Sequence, residues 1–192
     1  MAKHSPLGAS ATHMWMNCAG SIHATKGYPR ETNIFAAEGT ACHELSEWCL
    51  ETGKDASAKL GTEMVVEGMI FKVDREMVQG AQMYVDIVRA DKEYMKAKEM
   101  LVEQRFDLTK VHPNMFGTAD AVLMNDTHLK VYDLKYGRGV VEVENNSQAL
   151  FYALGAIINL DPKKKIEHVE MIIVQPRVPN PVKRWHVTRS YM

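Results

Sequence analysis

The chain has 192 residues, 46% of them hydrophobic and 24% charged, with a formal net charge of −1. That composition suits one globular domain spanning 1–192 with a real core and leaves too little chain for two comfortable domains. The near-neutral charge excludes the global basic signature of a passive nucleic-acid coat, and no apolar run reaches the ~20 residues that a membrane helix needs.

The N-terminus lacks the apolar stretch of a signal peptide. Cys18, Cys42 and Cys49 are an odd set that does not suit a disulfide framework. The expectation is a cytoplasmic protein with reduced thiols and no membrane association. Three thiols also fall short of the four ligands of a common iron–sulfur cluster, so no such cluster is expected.

In chain order, residues 1–35 read as an irregular cap, rich in Ser, Thr, Gly and Asn, with a short helix around 11–17. Residues 36–52 form a helix on the spacing of Ala37, Ala41, Leu45 and Trp48, stopped by Gly53. A loop follows, then a strand over 64–71. Residues 73–100 read as one long helix, with Met77, Ala81, Tyr84, Val85 and Val88 on one face and mixed charge on the other. Short β-rich runs at 101–108, 119–124, 129–134 and 169–174 are strands, with Asn125-Asp126 turning the second into the third. A helix over 145–159, apolar at Leu150, Ala153, Leu154 and Ile157, is closed by Pro162, and residues 185–188 add a last strand. This order predicts an α/β fold of the mixed α+β kind: a central mixed sheet flanked by helices, not a doubly wound parallel sheet.

The chemistry concentrates in Gly117-Thr118-Ala119-Asp120 and in Asp133-Leu134-Lys135. Two antiparallel strands can carry an acid each at the same end. Alternation puts Asp133 and Lys135 on one face and Leu134 on the other. Two carboxylates and a lysine would be costly in a core, because unpaired buried charge is penalised by several kcal/mol. Carboxylates bind hard cations such as Mg²⁺ or Mn²⁺. A lysine beside them can orient water or offset charge in a phosphodiester transition state. Asp-x-Lys alone is common on exposed strands as a plain ion pair. It is joined here by His43, Glu44 and Glu47 on the first long helix, and by Gln148 and Tyr152 four residues apart on the later helix.

The set Gly-x-x-x-His, Gly-x-x-Asp, Asp-x-Lys and Gln-x-x-x-Tyr, in that order, resembles the RecB-like and lambda-exonuclease-like branch of the PD-(D/E)XK nucleases. Residues 10–21 and the Val174-Gln175-Pro176-Arg177 stretch look like a phage- and prophage-type subfamily of it, and the resemblance covers roughly 10–188. It implies a restriction-endonuclease-like core and a Mg²⁺- or Mn²⁺-dependent deoxyribonuclease, an exonuclease of phage replication, recombination or DNA breakdown. By the same resemblance His43, Asp120, Asp133 and the carbonyl of Leu134 are metal ligands, and Lys135 is the catalytic lysine. Gln148 and Tyr152 support the site or touch DNA. Glu47, or else Glu44, acts behind the ligands. The implied partners are DNA and a phage single-strand-annealing or recombination protein; a homo-oligomer is open.

Arg138, between two glycines after the Asp-x-Lys strand, is a candidate phosphate contact. Lys163, Lys164 and Lys165 read as a solvated turn, the methionines as core filler, and the remaining histidines as surface residues. Two other function classes stay open: a catalytically silent DNA-binding or assembly module, and a phosphohydrolase acting on small nucleotides.

Overall fold

The computed structural model describes residues 5–28, 33–161 and 165–192. A 3-10 turn at Ala9–Ala11 leads into two short helices, α1 (Thr12–Asn17) and α2 (Ser21–Ala24). Helix α3 (Ile34–Thr52) starts where the Asn33 side chain accepts from the Ala36 N–H at 2.9 Å and stops at Gly53, whose φ of 73° favours glycine. Then come β1 (Glu63–Val66), β2 (Met69–Lys72) and α4 (Arg75–Tyr94), the helix capped by Asp74. The rest is β3 (Glu99–Asp107), β4 (Phe116–Met124), β5 (His128–Leu134), α5 (Ser147–Leu160), β6 (His168–Val174) and β7 (Val182–Thr188).

Strands β3 to β7 form one sheet in sequence order, antiparallel throughout except for the parallel β5–β6 pair. That pair needs a crossover, and α5 supplies it. Strand parity divides the core into two layers. Tyr132, Leu134, Ile172 and Val174 pack toward α3 and α4, while Leu129, Val131, Met171 and Ile173 pack toward α5. The expected mixed sheet flanked by helices is therefore observed.

Two expected elements are corrected. The single strand over 64–71 is a hairpin, because Glu67 and Gly68 both have positive φ, 52° and 80°, in a two-residue turn. The long helix does not reach residue 100: it ends at Tyr94, and Glu99 and Met100 already pair with Met124 and Leu123. Helix-forming residues such as Lys96 and Lys98 are overridden there by tertiary pairing. Lys96 takes a φ of 50°, and the Asn125 side chain of the β4–β5 turn donates to the Met95 carbonyl at 2.9 Å. Pro162, Lys163 and Lys164 lie outside the described residues.

Candidate metal centre

Asp120 sits on β4 and Asp133 on β5. The pairing of Ala121 with Tyr132 sets the two aspartates beside each other across the strand boundary. The Leu134 N–H donates to Asp120 Oδ2 at 2.7 Å, which ties the two strands together at the site. His43 arrives from α3 with Nδ1 at 3.4 Å from the same Asp120 oxygen.

A further carboxylate comes from the other side. Val102 pairs with Ala121 and Gln104 with Ala119, so Glu103 of β3 stands opposite Asp120. Glu103 has a φ of 47°, the left-handed region that a non-glycine residue adopts at a cost of about 1–3 kcal/mol. The strand faces exchange there. Ala121 and Leu123 pack toward α3 and α4, whereas Ala119 packs toward α5. Donor atoms of His43, Glu103 and Asp120 lie within 4.8 Å of one another, so one ion could touch all three. One imidazole nitrogen and two carboxylate oxygens suit a divalent cation.

The charges argue the same way. Burial alone would lower the His43 pKa, but the charge and hydrogen bond of Asp120, with Asp133 behind it, lift it to about 9. Much of Glu103 is open to the cleft, yet desolvation and the charges of Asp120 and Glu47 raise it to about 7 against the pull of His43. Burial and the Asp120 charge also raise Asp133, opposed by Lys135. Asp120 moves down instead: burial pushes it up, but His43, Lys135 and the Leu134 N–H outweigh that. Raised carboxylates and a raised imidazole describe a cluster with more negative charge than its own cations balance.

Asp133 does not belong to the converging trio. Its carboxylate accepts from Lys135 Nζ at 2.8 Å. Lys135 also donates to Gln148 Oε1 at 3.0 Å, and Gln148 Nε2 donates to the Tyr152 hydroxyl at 3.0 Å. The four side chains make a hydrogen-bonded relay from β5 to α5 that fixes the position of the ammonium.

The chain belongs to the DUF2800 family. The family model, described as a protein of unknown function, matches residues 4–191. Among solved structures, a candidate exonuclease from Eubacterium rectale is 12% identical, with a TM-score of 0.47, over 96% of this chain and 73% of that one. SSO0001 is 12% identical, with a TM-score of 0.32, over 86% of this chain and 72% of that one. Protein VC1899 from Vibrio cholerae is 11% identical, with a TM-score of 0.33, over 73% of this chain and 42% of that one.

The other singled-out residues divide. Glu47 lies on the half-buried side of α3 and acts on Glu103 through its charge, whereas Glu44 is exposed. Arg138 is exposed and reaches Glu76 of α4 at 3.3 Å. Arg177 of the Gln-Pro-Arg stretch clamps Glu38 with two nitrogens at 2.7 and 2.9 Å and stacks 3.7 Å over the Tyr136 ring. The buried Gln175 bonds Gly139 O and Val141 N, fixing the loop after β5. That stretch is a brace for the site's loop. Of the histidines read as surface residues, His168 is half-buried, stacked between His128 and His186 at centroid distances of 4.5 and 5.3 Å.

Glu103 is the residue that motif reading missed. It belongs to none of the four motifs, and only the in-register pairing of β3 with β4 shows that it faces Asp120. Its signal in the sequence was an acid in the middle of a run read as a strand, two strands of the same meander from Asp133.

Proposed function

We propose that this protein is a metal-dependent DNA nuclease of the PD-(D/E)XK kind. The observation that carries the reading is the convergence of His43, Glu103 and Asp120 next to the Asp133–Lys135 pair. A divalent cation bound by those residues would supply Lewis acidity toward a phosphodiester and a lower pKa for bound water. His43 and Asp120 would hold the ion, Glu103 would complete the donors, and the motif resemblance adds the Leu134 carbonyl and Asp133 as further oxygen ligands. Asp133 and Gln148 hold the Lys135 ammonium, which would offset charge that builds on the phosphate oxygens. Tyr152 would orient Gln148 rather than meet the phosphate itself.

The finer form, an exonuclease acting on DNA in phage-type replication, recombination or degradation alongside a single-strand-annealing or recombination protein, rests on the motif resemblance. Incubation with linear or circular and single- or double-stranded DNA, with Mn²⁺, Mg²⁺, Ca²⁺ or EDTA, tests the reading. Cleavage with Mn²⁺ or Mg²⁺, abolished by EDTA and not supported by Ca²⁺, is expected. Cleavage undiminished in EDTA overturns the metal role. DNA bound but never cut would leave a silent binding module.

A further inference from the structure

Beside the metal centre lies a cleft of about 430 Å³. Its wall is assembled from separate parts of the chain: Ser10 of the N-terminal segment, Thr40 of α3, Glu67 of the β1–β2 turn, Glu103 of β3, and Phe116 and Thr118 of β4. Tyr152 of α5 also lines it, so the cleft touches both the converging donors and the lysine relay. We propose that this cleft is the subsite for one unpaired nucleotide of a DNA strand whose phosphate lies at His43, Glu103 and Asp120. The proposal rests on the nuclease reading and adds to it the form of the substrate: a single strand or a frayed end.

Size is the first argument. The volume sits at the small end of the ~300–1,000 Å³ range of small-molecule pockets, enough for a base and sugar. The second is charge. The described lining holds two carboxylates, Glu67 and Glu103, and no lysine or arginine. Such a wall repels phosphate, which is left to the cation centre and Lys135. The hydroxyls of Ser10, Thr40, Thr118 and Tyr152 instead suit the uncharged polar edges of a base or sugar. The third is the aromatic face. Phe116 is half-buried, and the Arg105 guanidinium lies 3.7 Å over its ring. Aromatic rings flanked by arginine are stacking platforms for unpaired bases.

The N-terminal segment is built to close this cleft. Thr12 Oγ1 bonds Ser147 Oγ at 2.7 Å, the Trp15 indole donates to the Gly8 carbonyl at 3.2 Å, and the Ser5 hydroxyl bonds the Asn114 carbonyl. Gly117 makes room for it: a Cβ there would stand 3.0 Å from Phe151, 3.3 Å from Tyr152 and 3.4 Å from Ala9. The glycine of the Gly-x-x-Asp motif thus lets the segment and α5 meet at the cleft.

Anisotropy of a labelled single-stranded oligothymidine with Ca²⁺ reads binding without turnover, and Mn²⁺ then reads cleavage. Ser10→Trp and Thr118→Tyr fill the cleft, and Phe116→Ala removes the stacking face. Each should weaken single-strand binding and raise KM about tenfold, while the rise in Tm on adding Mn²⁺ persists. Phe116→Ala adds no bulk, so it stays informative if a filled variant fails to fold. Wild-type cleavage with unchanged Kd and KM in all folded variants overturns the subsite alone. Tighter binding of blunt duplex than of single strand overturns it too, as does thymidine 5′-monophosphate binding as well as the oligonucleotide. Variants that lose binding in a protein that never cuts DNA would keep the subsite and sink the nuclease reading.

Discussion

Two charged clusters draw on neighbouring residues of β5, Lys130 and Tyr132 for one and Asp133 for the other. Tyr132 donates to Asp91 at 2.8 Å, and Lys130 and Arg184 pair with both Asp91 and Glu170 at 2.8 to 3.4 Å. Two cations meet two carboxylates there. Burial pushes Asp91 up, but Arg184, Tyr132 and Lys130 outweigh it and hold its carboxyl below the usual range. In the second cluster Glu103, Asp120 and Asp133 share His43 and Lys135, and two of those acids are pushed up. The residue types are nearly the same. A satisfied network braces the sheet against α4, and an unsatisfied one asks for a cation.

The largest expected contrast is between two lysines. Lys135→Ala should cut turnover by at least about a hundredfold with fold and Mn²⁺ binding kept, because its charge matters most in the transition state. Lys130→Ala should leave turnover within about twofold and lower stability by about 1–3 kcal/mol. Equal turnover in the two variants would erase the distinction between the clusters.

Next come matched carboxylate-to-amide changes. Glu103→Gln should weaken Mn²⁺ by at least about tenfold, read as loss of the Mn²⁺-induced rise in Tm. Asp91→Asn should keep that response and destabilise the protein by roughly 2–3 kcal/mol. If Glu103→Gln responds to Mn²⁺ like wild type, Glu103 is not a ligand. A smaller effect, about tenfold on rate, is expected from Gln148→Ala and Tyr152→Phe, which loosen Lys135 without removing it. Wild-type kinetics in both would make the relay ordinary packing.

Acid and base should separate the clusters by sign. The depressed Asp91 contributes stability above the ordinary carboxylate value of 3.8, lost as pH falls below it. Glu103, raised from 4.5 to about 7, adds a penalty that is absent below 4.5 and full above 7. His43, raised from 6.5 to about 9, contributes stability below 6.5 that is lost as pH rises through 9. Metal-free protein should therefore lose Tm between pH 5.5 and 8.5, with Mn²⁺ reversing the loss. A flat metal-free profile over that window would contradict the surplus of carboxylate charge. The smallest change is Arg138→Ala, which should reduce the salt slope of DNA binding by about 1 and leave rates at saturating DNA alone. An unchanged slope would assign Arg138 to its ion pair with Glu76 alone.

Much of this molecule is local, and local features are legible in sequence. Apolar spacing and Gly53 marked α3, and Gln148 and Tyr152 lie four apart on one helical face whatever the helix packs against. Alternation alone put Asp133 and Lys135 on the face opposite Leu134. What required the tertiary structure was pairing between distant segments. Residues 95–99 have helical propensity, and only β4 across from them makes Glu99 and Met100 a strand. Glu103 is 17 positions before Asp120, and its φ of 47° reverses the strand's faces at the site, which no periodicity announces. Asp91 and Asp133 are both acids in apolar surroundings. Their neighbours in space, Arg184 and Lys130 for one and Asp120 and His43 for the other, made the first a brace and the second part of a candidate metal centre. Charge balance is a sum over neighbours at a few ångströms, and sequence order does not contain those neighbours.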